Sequence, residues 1–309
     1  MKNRKPMSAD TLYRIFIFVA LITFAITIIV PVGWVFLASI KENSEFYQNP
    51  WSMPKGFYFQ NFIDAFNKAN MGAYLLNSVL ATAMGLAILL VVALPAAYVL
   101  SRYRFRGRKL INVAFMGGLF INVNYIVVPI FLMLVDGNKG LGSLMEALHV
   151  EEGSPLFNLL DGFLLNNLFI LALIYASTAL PFTIYLLSSY FQTLPKAYEE
   201  AAYVDGSGYF NTMVKIIIPM AKPSIITVIL FNFLSFWNEY IISMTLMSST
   251  KAPRTLPVGL LNLMQAQQSA AQYGTMYAGL VLVMLPTLIL YICVQRQLTQ
   301  GMTVGGLKG

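Results

Sequence analysis

Six stretches of this chain, 15–39, 73–101, 110–135, 163–190, 223–247 and 273–294, run for 22 to 29 residues each and carry one charged side chain between them, Glu239. About 20 apolar residues in a helix cross the roughly 30 Å hydrocarbon core of a bilayer. Lipid offers no water to satisfy backbone N–H and C=O groups, so spanning segments must close their hydrogen bonds internally. The pattern predicts an all-α integral membrane protein with six transmembrane helices. Composition agrees: 58% of residues are hydrophobic and 11% are charged, against about 25% charged in a soluble domain. The mean hydropathy is +0.68. A soluble domain, a disordered chain, a coiled coil and a disulfide scaffold are all excluded. The first stretch is too long for a cleavable signal peptide, and no small-residue cleavage site follows it.

The basic residues orient the bundle. Counting crossings, one side of the membrane receives Lys2, Arg4, Lys5, Arg14, Arg102, Arg104, Arg106, Arg108, Lys109, Lys196, Lys215, Lys222, Arg296 and Lys308, 14 in all. The other receives Lys41, Lys55, Lys68, Lys139, Lys251 and Arg254, which is 6. Lys and Arg accumulate on the cytoplasmic side, so both termini are expected in the cytoplasm. The formal charge of +7 is then a mark of orientation and not of nucleic-acid binding. The expected organisation is a cytoplasmic tail at 1–14, a first transmembrane helix at 15–39 and an extracytoplasmic segment at 40–72. A five-helix core at 73–294 includes a cytoplasmic loop at 195–223, and a cytoplasmic tail at 295–309 follows. The segment 136–162, with Asp136, Glu146, Glu151, Glu152 and Asp161, reads as a solvated outside loop or as a docking surface.

Several chemistries are missing. No G-x-x-x-x-G-K-[S/T] phosphate loop occurs, so the chain carries no ATPase motif. Cys293 is the one cysteine and His149 the one histidine. Together they leave no internal disulfide, cysteine zinc cluster, histidine pair or Ser-His-Asp triad. No catalytic residue and no metal site are expected.

The loop 195–223, P-K-A-Y-E-E-A-A-Y-V-D-G-S-G-Y-F-N-T-M-V-K-I-I-I-P-M-A-K-P, carries the most local information. Pro195 suits the first turn of a helix. Glu199 and Glu200 suit the positive end of its dipole. Gly206 can take the left-handed conformation that closes it, and Ser207 can cap a second helix. On that second helix Phe210, Met213, Val214 and Ile217 share an apolar face, and Pro219 and Pro223 end it. A helix showing Ala201, Ala202 and a carboxylate fits into a groove and accepts a charge-assisted hydrogen bond from a basic partner. It could equally be an amphipathic segment lying on lipid.

The spacing Glu200-Ala201-Ala202, Gly206, then Ile216-Ile217-Ile218-Pro219 resembles the E-A-A loop of the membrane subunits of binding-protein-dependent ABC importers. Ile218 stands where that pattern has leucine. Asn77-Ser78, Trp237-Asn238-Glu239, Thr255-Leu256-Pro257-Val258-Gly259-Leu260, Tyr273-Gly274-Thr275 and the glycine-rich tail 301–309 resemble the carbohydrate branch of that family. The likeness departs from it at 136–162. The resemblance implies a type I importer permease fold and a coupling helix set in a groove of an ATPase. Glu199, Glu200, Ala201, Ala202, Asp205, Gly206 and Pro219 would serve that contact, and Gly305 and Gly306 would bring the tail against the ATPase. It implies as partners a second permease subunit in a heterodimer, two ATPase subunits, an extracytoplasmic sugar-binding protein and membrane lipid. No cofactor is expected on this chain; ATP and Mg would sit on the ATPase. The expected function is import of a sugar or oligosaccharide by alternating access. A permease of the same fold for a peptide, phosphate or another solute is an alternative. An ion-coupled secondary transporter is a further one, disfavoured because it calls for paired buried charges and inverted repeats.

A carboxylate at the centre of a membrane helix costs about 2.5–3.5 kcal/mol on insertion scales. Glu239, with Trp237 and Asn238, and Asn122 and Asn124 in the third stretch, are therefore candidates for a polar pathway. The competing reading of each is a packing hydrogen bond between helices. Asn166 and Asn167, at the start of the fourth stretch, are read the same two ways. Pro95, Pro129, Pro181 and Pro286 fall within the apolar stretches, where kinks are tolerated.

Overall fold

The computed structural model describes residues 9–68, 70–151, 153–249, 252–270 and 272–306. Among these residues there is no β-strand. The helices are α1 (Ala9–Ser39), α2 (Asn43–Gln48), α3 (Gln60–Lys68), α4 (Met71–Arg102) and α5 (Arg108–Gly118), then α6 (Val123–Ala147), α7 (Pro155–Leu160) and α8 (Leu168–Thr193). After α9 (Ala197–Val204) and α10 (Tyr209–Thr212) comes a π-helical turn, Met213–Ile217. The chain ends with α11 (Ile218–Met220), α12 (Lys222–Asn238), α13 (Ile241–Leu246), α14 (Leu256–Ala270) and α15 (Tyr273–Gly306).

Five helices are long and apolar enough to span a bilayer: Asp10–Ser39, Met71–Arg102, Val123–Ala147, Leu168–Thr193 and Tyr273–Gln295. Tyr209–Met220 and Lys222–Asn238 reach that length and apolarity only taken together, and they are bent by 77° at the join, so Lys222–Asn238 stands for the remaining apolar stretch. Pro219 stands in the first turn of α11, just before the break, and Pro223 in the first turn of α12, just after it, where a missing N–H is harmless.

Two spans differ from the sequence expectation. The third stretch, expected to be continuous over 110–135, is interrupted at 119–122. The pair Gly117-Gly118 weakens α5 at its end, and the Asn122 side chain accepts the Asn124 N–H at 2.9 Å to start α6 afresh. That helix then runs through Asp136 and Glu146 to Ala147, inside the segment read as a loop. The fifth stretch, expected over 223–247, stops at Asn238 and restarts at Ile241. In the second helix of the 195–223 loop, the N-cap is Gly208 and not Ser207. The Ser207 hydroxyl instead accepts from the Asn211 amide and the Thr212 hydroxyl. Of its expected apolar face, Met213 and Ile217 are buried while Phe210 and Val214 are exposed.

By internal packing the chain forms two units, Met1–Asn70 with Leu260–Met284, and Met71–Gly259 with Leu285–Gly309. In the first, Trp34 packs against Trp51, Phe46 and Tyr277 at 5.0–6.1 Å between ring centroids. Lys41 is fully buried, its ammonium donating to the Asn49 and Pro50 carbonyls and the Ser52 hydroxyl. Asn61 donates to the Ser39 and Lys41 carbonyls, and Gly274 lies so close that an added Cβ would meet the Asn61 amide at 2.5 Å.

The second unit is built on α4 against α8. Ala81, Gly85, Leu89, Ala93 and Ala97 recur every fourth residue on α4, and all are buried. The four small residues of this stripe, Ala81, Gly85, Ala93 and Ala97, let helix backbones approach closely where lipid gives no hydrophobic drive to associate. A Cβ at Gly85 would lie 3.4 Å from the Ala172 carbonyl of α8 and 3.3 Å from the Phe236 ring of α12. Leu171, Ala172, Ala176, Leu187 and Phe191 complete this core from α8.

Candidate functional site

The loop between α8 and α12 begins with α9, whose first-turn N–H groups of Glu199 and Glu200 bond the Lys196 carbonyl at 2.9 and 3.1 Å. Its other end is a Schellman closure. The Ser207 N–H bonds the Ala202 carbonyl at 2.8 Å and the Gly206 N–H bonds the Tyr203 carbonyl at 3.0 Å, with Gly206 at φ +81°.

This helix splits its two acids between two environments. Glu200 and Ala201 are exposed, as are Asp205, Gly206 and Pro219; Glu199 and Ala202 are buried. The exposed surface continues through Val204, 88% accessible, and Phe210, 76% accessible. Glu199 points into the unit, where its Oε1 lies 3.5 Å from Arg102 Nε at the end of α4; the side chains are 10% and 4% exposed. Neither of these two atoms makes a hydrogen bond among the described residues, so the contact is an ion pair alone. The Arg102 guanidinium also donates through Nη2 to the Leu194 carbonyl at 2.8 Å. Removing one member of a buried ion pair costs about 3–5 kcal/mol, because the other charge is stranded.

A tyrosine ladder runs beside this pair. The Tyr98 and Tyr103 hydroxyls are 3.2 Å apart, and the Tyr103 and Tyr203 hydroxyls 2.8 Å apart. The Tyr209 ring packs edge-on against Tyr103 and Tyr203, at 5.7 and 5.3 Å. Burial, and then the Tyr103 hydroxyl, push the Tyr203 phenol up to about 12, so it is a neutral hydrogen-bonding group near pH 7. Arg108 caps the end of α4, donating to the Leu100 and Ser101 carbonyls at 2.8 and 3.4 Å. Two of the five basic residues in the 102–109 cluster are thus held by internal partners, while Arg104, Arg106 and Lys109 are exposed.

A second feature of this unit is an open cavity of about 430 Å³ bordered by α6, α8, α12 and α13. Asn124 and Glu239 line it; Trp237, Asn238 and Asn122 do not. Trp237 is buried, Asn238 is exposed with its amide on the Leu234 carbonyl, and Asn122 is spent on capping α6. Glu239 is the one charged residue in the lining. Its Oε1 accepts from the Ile242 N–H at 2.8 Å, and its Oε2 from the Ser243 N–H and the Tyr175 hydroxyl, both at 3.2 Å. The carboxylate therefore breaks the fifth span and starts α13. The sequence reading missed Tyr175, Phe182, Phe231, Asn232 and Ser235, which also line the cavity. Asn232, polar within an apolar run and buried with its amide on the Thr183 hydroxyl at 3.0 Å, was the one that stood out in composition. Asn166 and Asn167 serve the backbone: Asn167 caps α8, and Asn166 accepts the Ser249 N–H at 3.0 Å.

Two of the resemblance segments meet in space. Asn77 donates to the Arg254 carbonyl at 3.0 Å, and the Ser78 hydroxyl accepts the Leu256 N–H at 2.7 Å. Thr255 donates to the Ser243 hydroxyl at 2.8 Å, and Gly259 lies flat against the Tyr74 ring, where a Cβ would not fit. At the other end of the chain, the backbone of Gly305 and Gly306 closes α15; residues 307–309 of the tail lie outside the described residues.

Several helices long and apolar enough to cross a bilayer, with a short exposed helix closed at Gly206 between two of them, fit a polytopic membrane protein. Over residues 3–304 the chain matches the family described as the binding-protein-dependent transport system inner membrane component, and it belongs to that family. It is a multi-pass permease subunit of the cytoplasmic membrane, of the class that forms the membrane part of ABC importers and not their ATPase. A diacetylchitobiose uptake system permease of Streptomyces coelicolor is 32% identical over 305 residues, 99% of this chain and 92% of the relative. The trehalose/maltose transport system permease of Thermococcus litoralis is 28% identical over 306 residues, 98% of this chain and 100% of the relative. One chain in the crystal structure of a bacterial ABC transporter involved in the import of the acidic polysaccharide alginate shares the fold, with a TM-score of 0.73 and 24% identity. The match covers 95% of this chain and 99% of that one.

Proposed function

We propose that this chain is a permease subunit of an ATP-driven importer for a sugar or oligosaccharide, working by alternating access. The observation that carries the reading is α9, a short helix closed at a left-handed glycine, with its Glu200, Ala201 and Val204, and Phe210 of the following α10, exposed. Such a face suits the groove of an ATPase, where Glu200 accepts from a basic group and the apolar side chains are desolvated. ATP and Mg belong to that ATPase, and this chain binds no cofactor. The 195–223 loop and both termini lie in the cytoplasm. The other partners are a second permease subunit, a second copy of the ATPase and an extracytoplasmic sugar-binding protein. Closure of the two ATPases on ATP draws the coupling helices together, the spans tilt, and the pathway opens outward to receive sugar. Hydrolysis resets it inward.

Sugar as the substrate class is supported by the diacetylchitobiose and trehalose/maltose relatives and by the cavity. Phe182 and Phe231 offer apolar ring faces, and Asn124, Thr178 and Ser235 offer neutral hydrogen-bonding groups, a mixture that matches the C–H face and hydroxyl rim of a pyranose. The test is to co-express this chain with its gene neighbours, purify the complex and measure ATP-dependent uptake of trehalose, maltose and diacetylchitobiose into vesicles. Co-purification of an ATPase and uptake of a saccharide are expected. A complex that forms but carries only peptide or phosphate would remove the sugar assignment; a chain that captures no ATPase would remove the coupling assignment.

A further inference from the structure

We propose that Arg102 and Glu199 are positioning residues for transport: their buried ion pair fastens the coupling helix to the end of the α4 span. Movement of α9 is then passed to α4 instead of being absorbed by the loop. The proposal rests on the coupling reading above and adds to it a division of labour between two adjacent acids, Glu200 for the partner and Glu199 for the chain's own span. Successive residues of a helix point about 100° apart, so neighbouring carboxylates cannot share one task here.

Three features support a mechanical role. The pair joins residues 97 positions apart in the chain, bridging a membrane helix and a surface helix. Arg102 holds α9 at its entrance as well, through the Leu194 carbonyl, so one guanidinium grips both the chain entering α9 and its first turn. Tyr203, one turn further along the same face, makes a second attachment through Tyr103, which in turn meets Tyr98 of α4. One attachment would let α9 pivot; two fix its direction. The 3.5 Å separation of the ion pair exceeds the roughly 2.7–2.9 Å of a charge-assisted hydrogen bond, which leaves room for the contact to tighten when α9 is pushed toward α4.

The experiment uses the complete complex with its binding protein. It compares the parent with Arg102→Met, Glu199→Gln, the conservative Arg102→Lys, Tyr203→Phe and, as a docking control, Glu200→Gln. Three quantities are read: ATPase retained on purification, stimulation of ATP hydrolysis by the loaded binding protein, and sugar imported per ATP. Arg102→Met and Glu199→Gln should retain the ATPase at parental stoichiometry, lose most of the stimulation by binding protein, and import at least tenfold less sugar per ATP. Arg102→Lys should recover part of the coupling. A role confined to folding would lower the yield of complex without changing sugar per ATP in what is purified. If the neutral variants fail to accumulate, Arg102→Lys and Tyr203→Phe, which preserve charge or ring, carry the measurement, with a severalfold loss of sugar per ATP expected. Parental coupling in the variants that accumulate overturns the proposal. So does loss of the ATPase from Glu199→Gln to the same degree as from Glu200→Gln. Failure of the parent itself to capture an ATPase overturns the coupling reading instead.

Discussion

Gly206 holds a φ of +81° with nothing within 4 Å of where a Cβ would sit, so its constraint is conformational and not one of space. A β-branched residue there strains the left-handed backbone on the order of 1–2 kcal/mol, while asparagine visits that region routinely. Gly206→Val should unseat α9, leave membrane insertion intact and abolish uptake; Gly206→Asn should transport near the parental rate. Co-purification of the ATPase alongside uptake checks both, and equal behaviour of Val and Asn would show that the closure is irrelevant. Glu239 makes a different demand. Both of its oxygens act as acceptors, to two backbone N–H groups and a phenol, and it brings the one negative group into the cavity lining. Such a site resists anionic ligands. Uptake of a neutral disaccharide should exceed that of its uronate counterpart, and Glu239→Gln should narrow the difference. An unchanged preference in the variant would place substrate discrimination elsewhere.

At the scale of elements, side of the membrane is the first property to test. In a Cys293→Ser background, cysteines at Arg106 and Asn211 should react with an impermeant reagent from the cytoplasmic face alone, and one at Glu151 from the outer face alone. Labelling of position 151 from the cytoplasm would invert the bundle. For the end of α15, deletion of 303–309 should leave insertion unchanged and lower the sugar imported per ATP; parental coupling after deletion would mean the tail makes no contact that matters. What the sequence disclosed follows the range of the forces involved. Spans are long and uniformly apolar, so they are visible in any window of 20 residues. The α9 closure is local chemistry, written within seven residues. The interruption at 119–122 was hidden because apolarity continues across it, and the Asn122 cap decides the break; at 239–240 the charge of Glu239 was visible, but not its use as an acceptor for the first N–H groups of α13. The partnership of Arg102 with Glu199 left no local trace: each reads as an ordinary charge at a membrane edge until the fold brings them together. The cavity was half legible. Glu239 stood out by its charge, but Tyr175 and Phe231 are indistinguishable in sequence from the many aromatics that merely pack.

For the molecule as a whole, association with the ATPase should depend on ionic strength through Glu200 and the exposed Arg104, Arg106 and Lys109, since exposed charges are screened beyond about 10 Å at 0.1 M salt. Glu200→Lys should raise the fraction of ATPase lost during purification, most visibly at low salt where like-charge repulsion is unscreened. Indifference of that variant to salt would assign the contact to Val204 and Phe210. The every-fourth-residue stripe of α4 bears on how far a push at the loop can travel. Because α4 approaches the α8 backbone closely at Gly85 and packs against it with a buried stripe, the two helices should move together as the arm of a lever. α4 has 32 residues, about 48 Å at 1.5 Å per residue, so a tilt of about 5° set at Arg102 displaces its opposite end by roughly 4 Å. That opposite end carries Asn77 and Ser78, whose grip on the Arg254 carbonyl and the Leu256 N–H is only about 3 Å long. A displacement of that size exceeds the length of those two bonds, so a tilt of α4 relative to residues 254–256 would be felt first there.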